Sequence, residues 1–199
     1  SEKLVSFYTL RFIHNNVVQH LMKHKTIILI IGLLVLISCS EKSEFLNDCE
    51  CEKVNLDSDV TLFGMEHRYS VKLPSNNWNP EITNNGISAG IFEGNAFKYF
   101  GLTEMGKAKP WMTLEEQQKD VESKYDVIEN GITDVFEKKA IWNLVEEKFD
   151  TIPIIGLYVT VEHPTDDLFY TLNLAVSKNK YGKKELCELE NIIKSFKIE

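Results

Sequence analysis

Hydrophobic positions along this chain follow two spacings. Tyr69, Val71 and Leu73 alternate with polar residues in a run that ends at Pro74, the period-two pattern of a half-buried strand. Further strands are predicted over 87–92 (ISAGIF), 97–102 (FKYFGL), 140–149, 154–162 and 168–176. Asn85-Gly86 marks a tight turn before the first of these, and Asn130-Gly131 marks another between Ile128 and Ile132. The spacing becomes helical in two places. Thr113-Leu114-Glu115-Glu116 has the form of a capping box, with Thr at the cap and Glu three residues on. It opens a helix to about Tyr125, with Leu114, Val121 and Tyr125 inward and Trp111 as a hydrophobic staple. Residues 183–196 then place Leu186, Leu189, Ile192, Ile193 and Phe196 on one face, which a sheet would cover.

Upstream the pattern differs. Met22-Lys23-His24-Lys25 is basic, and 26–37 (TIILIIGLLVLI) is a nearly pure apolar run. That run is about half of the roughly 20 residues a spanning helix needs. A basic start, a short apolar run and small residues at its end are the order of a signal peptide. Leu36-Ile37-Ser38-Cys39 resembles the lipobox of bacterial lipoproteins. That resemblance implies cleavage before Cys39, acylation of its thiol and amine, and an address in the cell envelope, at the outer membrane. Residues 1–21 begin with Ser1 and are broken by Arg11, His14, Asn15, Asn16 and His20, so they read as an upstream extension before a start at Met22. The expected organisation is therefore an extension (1–21), a signal peptide (22–38), a lipidated tether (39–55) and a single α/β domain (56–199). Ser40-Glu41-Lys42-Ser43-Glu44 is polar and acidic, as a tether would be, and is similar to the export signal of surface-exposed Bacteroidetes lipoproteins.

Charge narrows the partners. Residues 39–199 carry 18 basic and 29 acidic side chains, a balance that repels phosphate backbones, so nucleic acid is not an expected partner. Asp48-Cys49-Glu50-Cys51-Glu52 sets two thiols among carboxylates. Two thiols at this spacing do not complete a tetrahedral shell, so no metal is expected there. In an oxidising compartment a disulfide is expected instead, either Cys49–Cys51 or one bridge to Cys187.

The succession of strands, helix, long strands and closing amphipathic helix, with Tyr69–Pro74 before Asn76-Asn77-Trp78, the Thr113–Glu116 helix start and the ending Ile192-Ile193-Lys194-Ser195-Phe196, resembles the Mog1/PsbP-like domain group over 56–199. That resemblance implies an α+β fold, an antiparallel β-sheet covered by helices, and a binding or accessory module without shared catalytic residues. No GxGxxG, P-loop, HExxH or GxSxG motif occurs. His67, His163, the adjacent Glu146 and Glu147, and Asp166-Asp167 are the titratable groups of note; turn chemistry or solvation accounts for them. Trp78, Trp111 and Trp142 are expected in the core or as a staple, with a ligand groove as the alternative. The expected function is a non-catalytic envelope module without cofactor, held to the membrane by its lipid and binding an envelope protein or an apolar ligand. The alternative is a hydrolase-like envelope enzyme with a scattered site.

Overall fold

The computed structural model describes residues 40–47, 49–52, 54–57, 60–64, 66, 68–107, 112–135, 138–164 and 167–199. The expected signal peptide (22–38), Cys39, His67, Trp111 and Asp166 lie outside them. A compact unit spans Ser40–Glu199. Its main sheet has seven strands: β5 (Glu81–Thr83), β6 (Gly86–Glu93), β7 (Ala96–Gly106), β8 (Asp126–Val135), β9 (Lys138–Phe149), β10 (Ile152–Glu162) and β11 (Leu168–Ser177). They are ordered β5-β6-β7-β11-β10-β9-β8, and every neighbouring pair is antiparallel. Two shorter sheets accompany it. β1 (Ser40–Lys42) pairs with β2 (Glu50–Glu52), and β4 (Tyr69–Lys72) pairs with β3 (Thr61–Phe63) and β12 (Lys197–Ile198). The helices are α1 (Leu114–Lys124) and α2 (Lys183–Lys194). The architecture is thus α+β, dominated by antiparallel sheet.

Period two divides the long strands between the two faces of the sheet. Leu157, Val159 and Val161 of β10, with Tyr170, Leu172 and Leu174 of β11, face α2 and are buried. Leu186, Leu189, Ile192 and Ile193 of α2 meet them, and Tyr69, Val71 and Leu73 close one end of the same core. The rings of Tyr69, Tyr170 and Phe196 form a cluster there, with Tyr170 5.3 Å from each of the other two. Trp78 and Trp142 are also core residues, 2% and 5% exposed, which removes them as groove-lining candidates on this face.

Three expectations change. Residues 40–55 are not a free tether. Phe45 and Leu46 are buried, and the segment lies along the flank of α2 that the sheet leaves open. Cys187, Glu190 and Asn191, spaced i, i+3 and i+4, form that second buried flank. Cys51 is joined to Cys187 by a disulfide, so of the two pairings open in the sequence the structure takes the bridge to the helix and leaves Cys49 a thiol. Glu190 accepts from the Ser43 hydroxyl and from the Glu44 N–H at 3.2 Å, and Asn191 donates to the Val54 carbonyl at 3.0 Å. Burial pushes the Glu190 carboxyl up, and the Ser43, Glu44 and Lys194 contacts hold it partly down. The polar character that suggested a tether in fact supplies these partners.

The second change concerns Asn130-Gly131, which is no turn. β8 runs through it, with Asn130 opposite Asn143 and Gly131 opposite Trp142. A Cβ on Gly131 would sit 2.7 Å from the Trp142 indole nitrogen, so glycine is there to let the indole cross the strand. The third concerns Asn85-Gly86. The turn residues are Asn84 and Asn85, Gly86 opens β6, and the partner strand β5, which periodicity alone did not mark, precedes the turn. The predicted capping box of α1 is present: Thr113 Oγ1 accepts from the Glu116 N–H at 3.2 Å, and Glu116 accepts from the Thr113 N–H at 3.0 Å. The helix buries none of its residues fully; Tyr125 at its end is 41% exposed.

A fragment of residues 40–199 is expected to melt cooperatively, whereas one of 56–199, without Phe45, Leu46 and Cys51, is expected to melt well below it. Cys187→Ser should cost about 2–5 kcal/mol, because the bridge closes a loop of most of the domain. Leu189→Asp places a charge between α2 and the sheet and should cost on the order of 3–5 kcal/mol. Chemical denaturation of each variant checks these values, and a Leu189→Asp protein as stable as its parent would mean that α2 is not docked.

Candidate functional site

The other face of the seven-stranded sheet is only partly covered. α1 lies over β8, β9 and β10, and the Gln118 amide donates to the Asn143 side chain at 2.5 Å. Among the described residues, none covers the sheet beyond α1 over β10, β11 and β7. Among the described residues, two clefts lie on this surface, one of about 530 Å³ beside α1 and one of about 360 Å³ toward the β6–β7 and β9–β10 turns. They share Tyr99, Tyr158 and Asn173.

Register explains why those three meet. Pairing across the strands aligns Ser88, Gly101, Asn173, Tyr158, Asn143 and Asn130 in one transverse polar row. Beside it lies a row of Thr103, Thr171 and Thr160, the last two with hydroxyls 3.2 Å apart. On the opposite side stand Tyr99, Ala175 and Gly156. The glycines open the floor. A Cβ on Gly101 would meet the Asn173 side-chain oxygen at 2.3 Å and the Tyr99 ring at 3.0 Å, and one on Gly156 would meet the Tyr158 ring at 3.0 Å. Both tyrosines therefore lie along the sheet across a glycine instead of standing up from it.

Lying over Gly156 brings the Tyr158 phenol to Glu147 on β9, to which it donates at 2.5 Å. Burial, followed by the Glu147 carboxylate, pushes the Tyr158 phenol far up, so it stays protonated and acts as a donor. The Tyr125 ring stacks on Tyr158 at 5.9 Å. Tyr99 is pushed up by burial and is hydrogen-bonded to Ser88. The smaller cleft is walled by Phe92, Phe97, Phe149 and Ile154, with Phe97 5.8 Å from Phe92 and 5.9 Å from Phe149. Phe92 and Phe149 are 62% and 59% exposed, large apolar surfaces at adjacent hairpin ends. The larger cleft adds the Thr row, Gln117 and the ion pair of Lys124 with Asp120 at 2.5 Å. The surface therefore couples an apolar pocket to a band of hydroxyl and amide groups. Such a surface orients a ligand by a few hydrogen bonds and holds it by apolar contact.

Of the titratable residues singled out in the sequence, Glu147 reaches this surface; Glu146, its neighbour, points away and pairs with Lys178 at 2.6 Å. His163 packs its ring 5.7 Å from that of Tyr170, away from both clefts. Asp167 stands before β11, with its carbonyl accepting from the Lys107 N–H. Cys49, Cys51 and Cys187 lie together on the α2 side. Among the described residues, no three His, Cys, Asp or Glu side chains stand together as a metal ion would require. Sequence reasoning missed Tyr99, Tyr158 and Asn173. The signal for the first two was the isolated glycine two residues away inside each strand, which marks a close approach.

No protein-family model matches this chain, and no curated protein matches it. Among solved structures, a protein of Bacteroides thetaiotaomicron VPI-5482, determined by crystallography at 1.50 Å, is similar with a TM-score of 0.49 and 10% identity. The similarity covers 70% of this chain and 48% of the other, so the chain spans about half the length of that neighbour.

Proposed function

We propose that this chain is a lipid-anchored envelope protein whose folded unit is a binding module for an elongated, largely uncharged ligand. The observation that carries the binding reading is the junction of the two clefts at Tyr99, Tyr158 and Asn173. One end offers Phe92, Phe97, Phe149 and Ile154 to an apolar group; the other offers Asn173 and the Thr row to polar atoms. The phenol of Tyr158 is already committed to Glu147, which fixes the ring as a rigid wall and leaves ligand hydrogen bonding to the amide and hydroxyls. The ligand is thus one with an apolar end and a neutral polar body. The open sheet face with a helix along one side is consistent with the Mog1/PsbP-like resemblance, whose members are mostly binding and accessory modules.

Sequence supports the anchoring reading. Leu36-Ile37-Ser38-Cys39 ends a twelve-residue apolar run directly before Ser40, where the compact unit begins. Acyl chains add about 0.8 kcal/mol per buried CH₂, so several of them hold a protein on a bilayer where one would not. The membrane, through this anchor, is then the first partner, and the cleft serves the second.

Two measurements test the proposal. Cys39→Ala in the full chain should abolish incorporation of labelled palmitate and leave an uncleaved precursor; normal labelling would remove the anchor. For the cleft, the neutral fluorophore N-phenyl-1-naphthylamine titrated into residues 40–199 should bind in a saturable way. Phe92→Ser/Phe149→Ser should weaken it at least tenfold, about 1.4 kcal/mol. Both residues are largely exposed, so stability should change by only about 0.5 kcal/mol per site. Unchanged probe affinity in the double variant would place binding elsewhere.

A further inference from the structure

Cys51 lies in β2, Cys49 directly precedes it, and both sulfurs are turned to the same side. That side is α2. Cys51 is bridged to Cys187, and the Cys49 sulfur lies 3.9 Å from the carbonyl oxygen of Lys183, one helical turn before Cys187. Cys49 packs against the same buried cluster that contains Cys51 and Cys187. A thiol and a disulfide therefore share one flank of one helix, and the thiol belongs to the same strand segment as one half of the bridge.

We propose that the bridge to Cys187 is exchangeable between Cys51 and Cys49, which gives residues 49–52 two registers on α2. The Cys49 thiol loses its proton to solvent, and its thiolate attacks the Cys187 sulfur. The Cys49–Cys187 bond forms, the Cys51–Cys187 bond breaks, and Cys51 leaves as a thiolate that takes up a proton from solvent. One disulfide and one thiol are present before and after, so no oxidant or reductant is consumed. Spacing is what makes this exchange compatible with the fold. Moving an extended segment by two residues, roughly 6.5–7 Å, keeps each side chain on its own face. Moving it by one would turn every buried side chain outward. A Cys-x-Cys pair is the arrangement that lets a second cysteine arrive where the first stood.

The surroundings make the exchange slow. Burial pushes the Cys49 thiol up, Lys183 draws it down, and Glu190, Glu129 and Glu188 push it further up. Lys183 is itself paired with Glu129 and donates to the Asn47 carbonyl at 2.7 Å, so the same lysine ties down the turn that would have to slide. The device is a latch with two long-lived positions, and the point at which the segment is fastened moves two residues closer to Cys39 when it changes.

The test uses the full-length chain with Cys39→Ser, in detergent, so that three cysteines remain. It is incubated at mildly alkaline pH, quenched in acid, alkylated and mapped by peptide mass under non-reducing conditions. The expected result is alkylation of both Cys49 and Cys51, with Cys51 rising to a plateau of at least roughly one part in ten, the ratio for two states within about 1.4 kcal/mol of each other. In Cys51→Ser the Cys49–Cys187 bridge should form, whereas in Cys49→Ser the Cys51–Cys187 bridge should persist with no site alkylated. Alkylation confined to Cys49 at all times would overturn the proposal, as would alkylation of Cys187 in the parent, which would signal a Cys49–Cys51 bridge. The mapping of the parent needs no variant to fold, so a failure of Cys51→Ser to fold leaves the decision to that measurement.

Discussion

Everything else in this fold depends on burying α2 on two flanks. One flank carries Leu186, Leu189, Ile192 and Ile193 and is covered by the sheet. The other carries Cys187, Glu190 and Asn191, too polar to be left in a dry interface without partners. The 40–57 segment meets that need with a sulfur for Cys187, a hydroxyl and an N–H for Glu190, and a carbonyl for Asn191. It brings Phe45 and Leu46 as the apolar part of the same cover. Covalent, polar and apolar contacts thus converge on one helix, and the 40–57 segment seals the core from the flank opposite the sheet.

The opposite face of the sheet is built on the reverse principle. α1 is capped well at its start but has no wide apolar stripe, so it rests on β8, β9 and β10 and does not itself cover the remaining strands. A sheet face left open has to be furnished with side chains that tolerate water. Here the furnishing is a band of amides and hydroxyls, with aromatic rings laid flat over glycines beside it. Flat rings give a smooth floor, and the hydrogen bond from Tyr158 to Glu147 keeps one of them from turning.

How much of this was legible in the sequence depends on the range of the cause. Period-two alternation located β4, β6, β7, β9, β10 and β11 but not β8, the Thr113–Glu116 box located α1, and the Leu186–Leu189–Ile192–Ile193 stripe located α2, because each of these is decided by neighbours within a few residues. The role of 40–57 was not legible: its partners stand more than 130 residues away, and taken alone it has the composition of a linker. Asn130-Gly131 misled because the glycine answers to Trp142 across the sheet and not to a local turn. The cleft was illegible for the same reason, since Tyr99, Asn173 and Tyr158 come from three strands and become neighbours through register alone.

The apolar pocket of the cleft has a consequence for how the protein can change over time. Phe92 and Phe97 flank the turn at Gly94 and Asn95, and Phe149 flanks the turn at Asp150 and Thr151, where Gly94 and Asp150 both take positive φ. The walls of the pocket are therefore the last residues of two hairpins, whereas its floor is the body of the sheet. Insertions or exchanges at those two turns would reshape the pocket without disturbing a single core contact around α2. A lineage could thus alter what it holds by editing two loops while inheriting the same sealed scaffold.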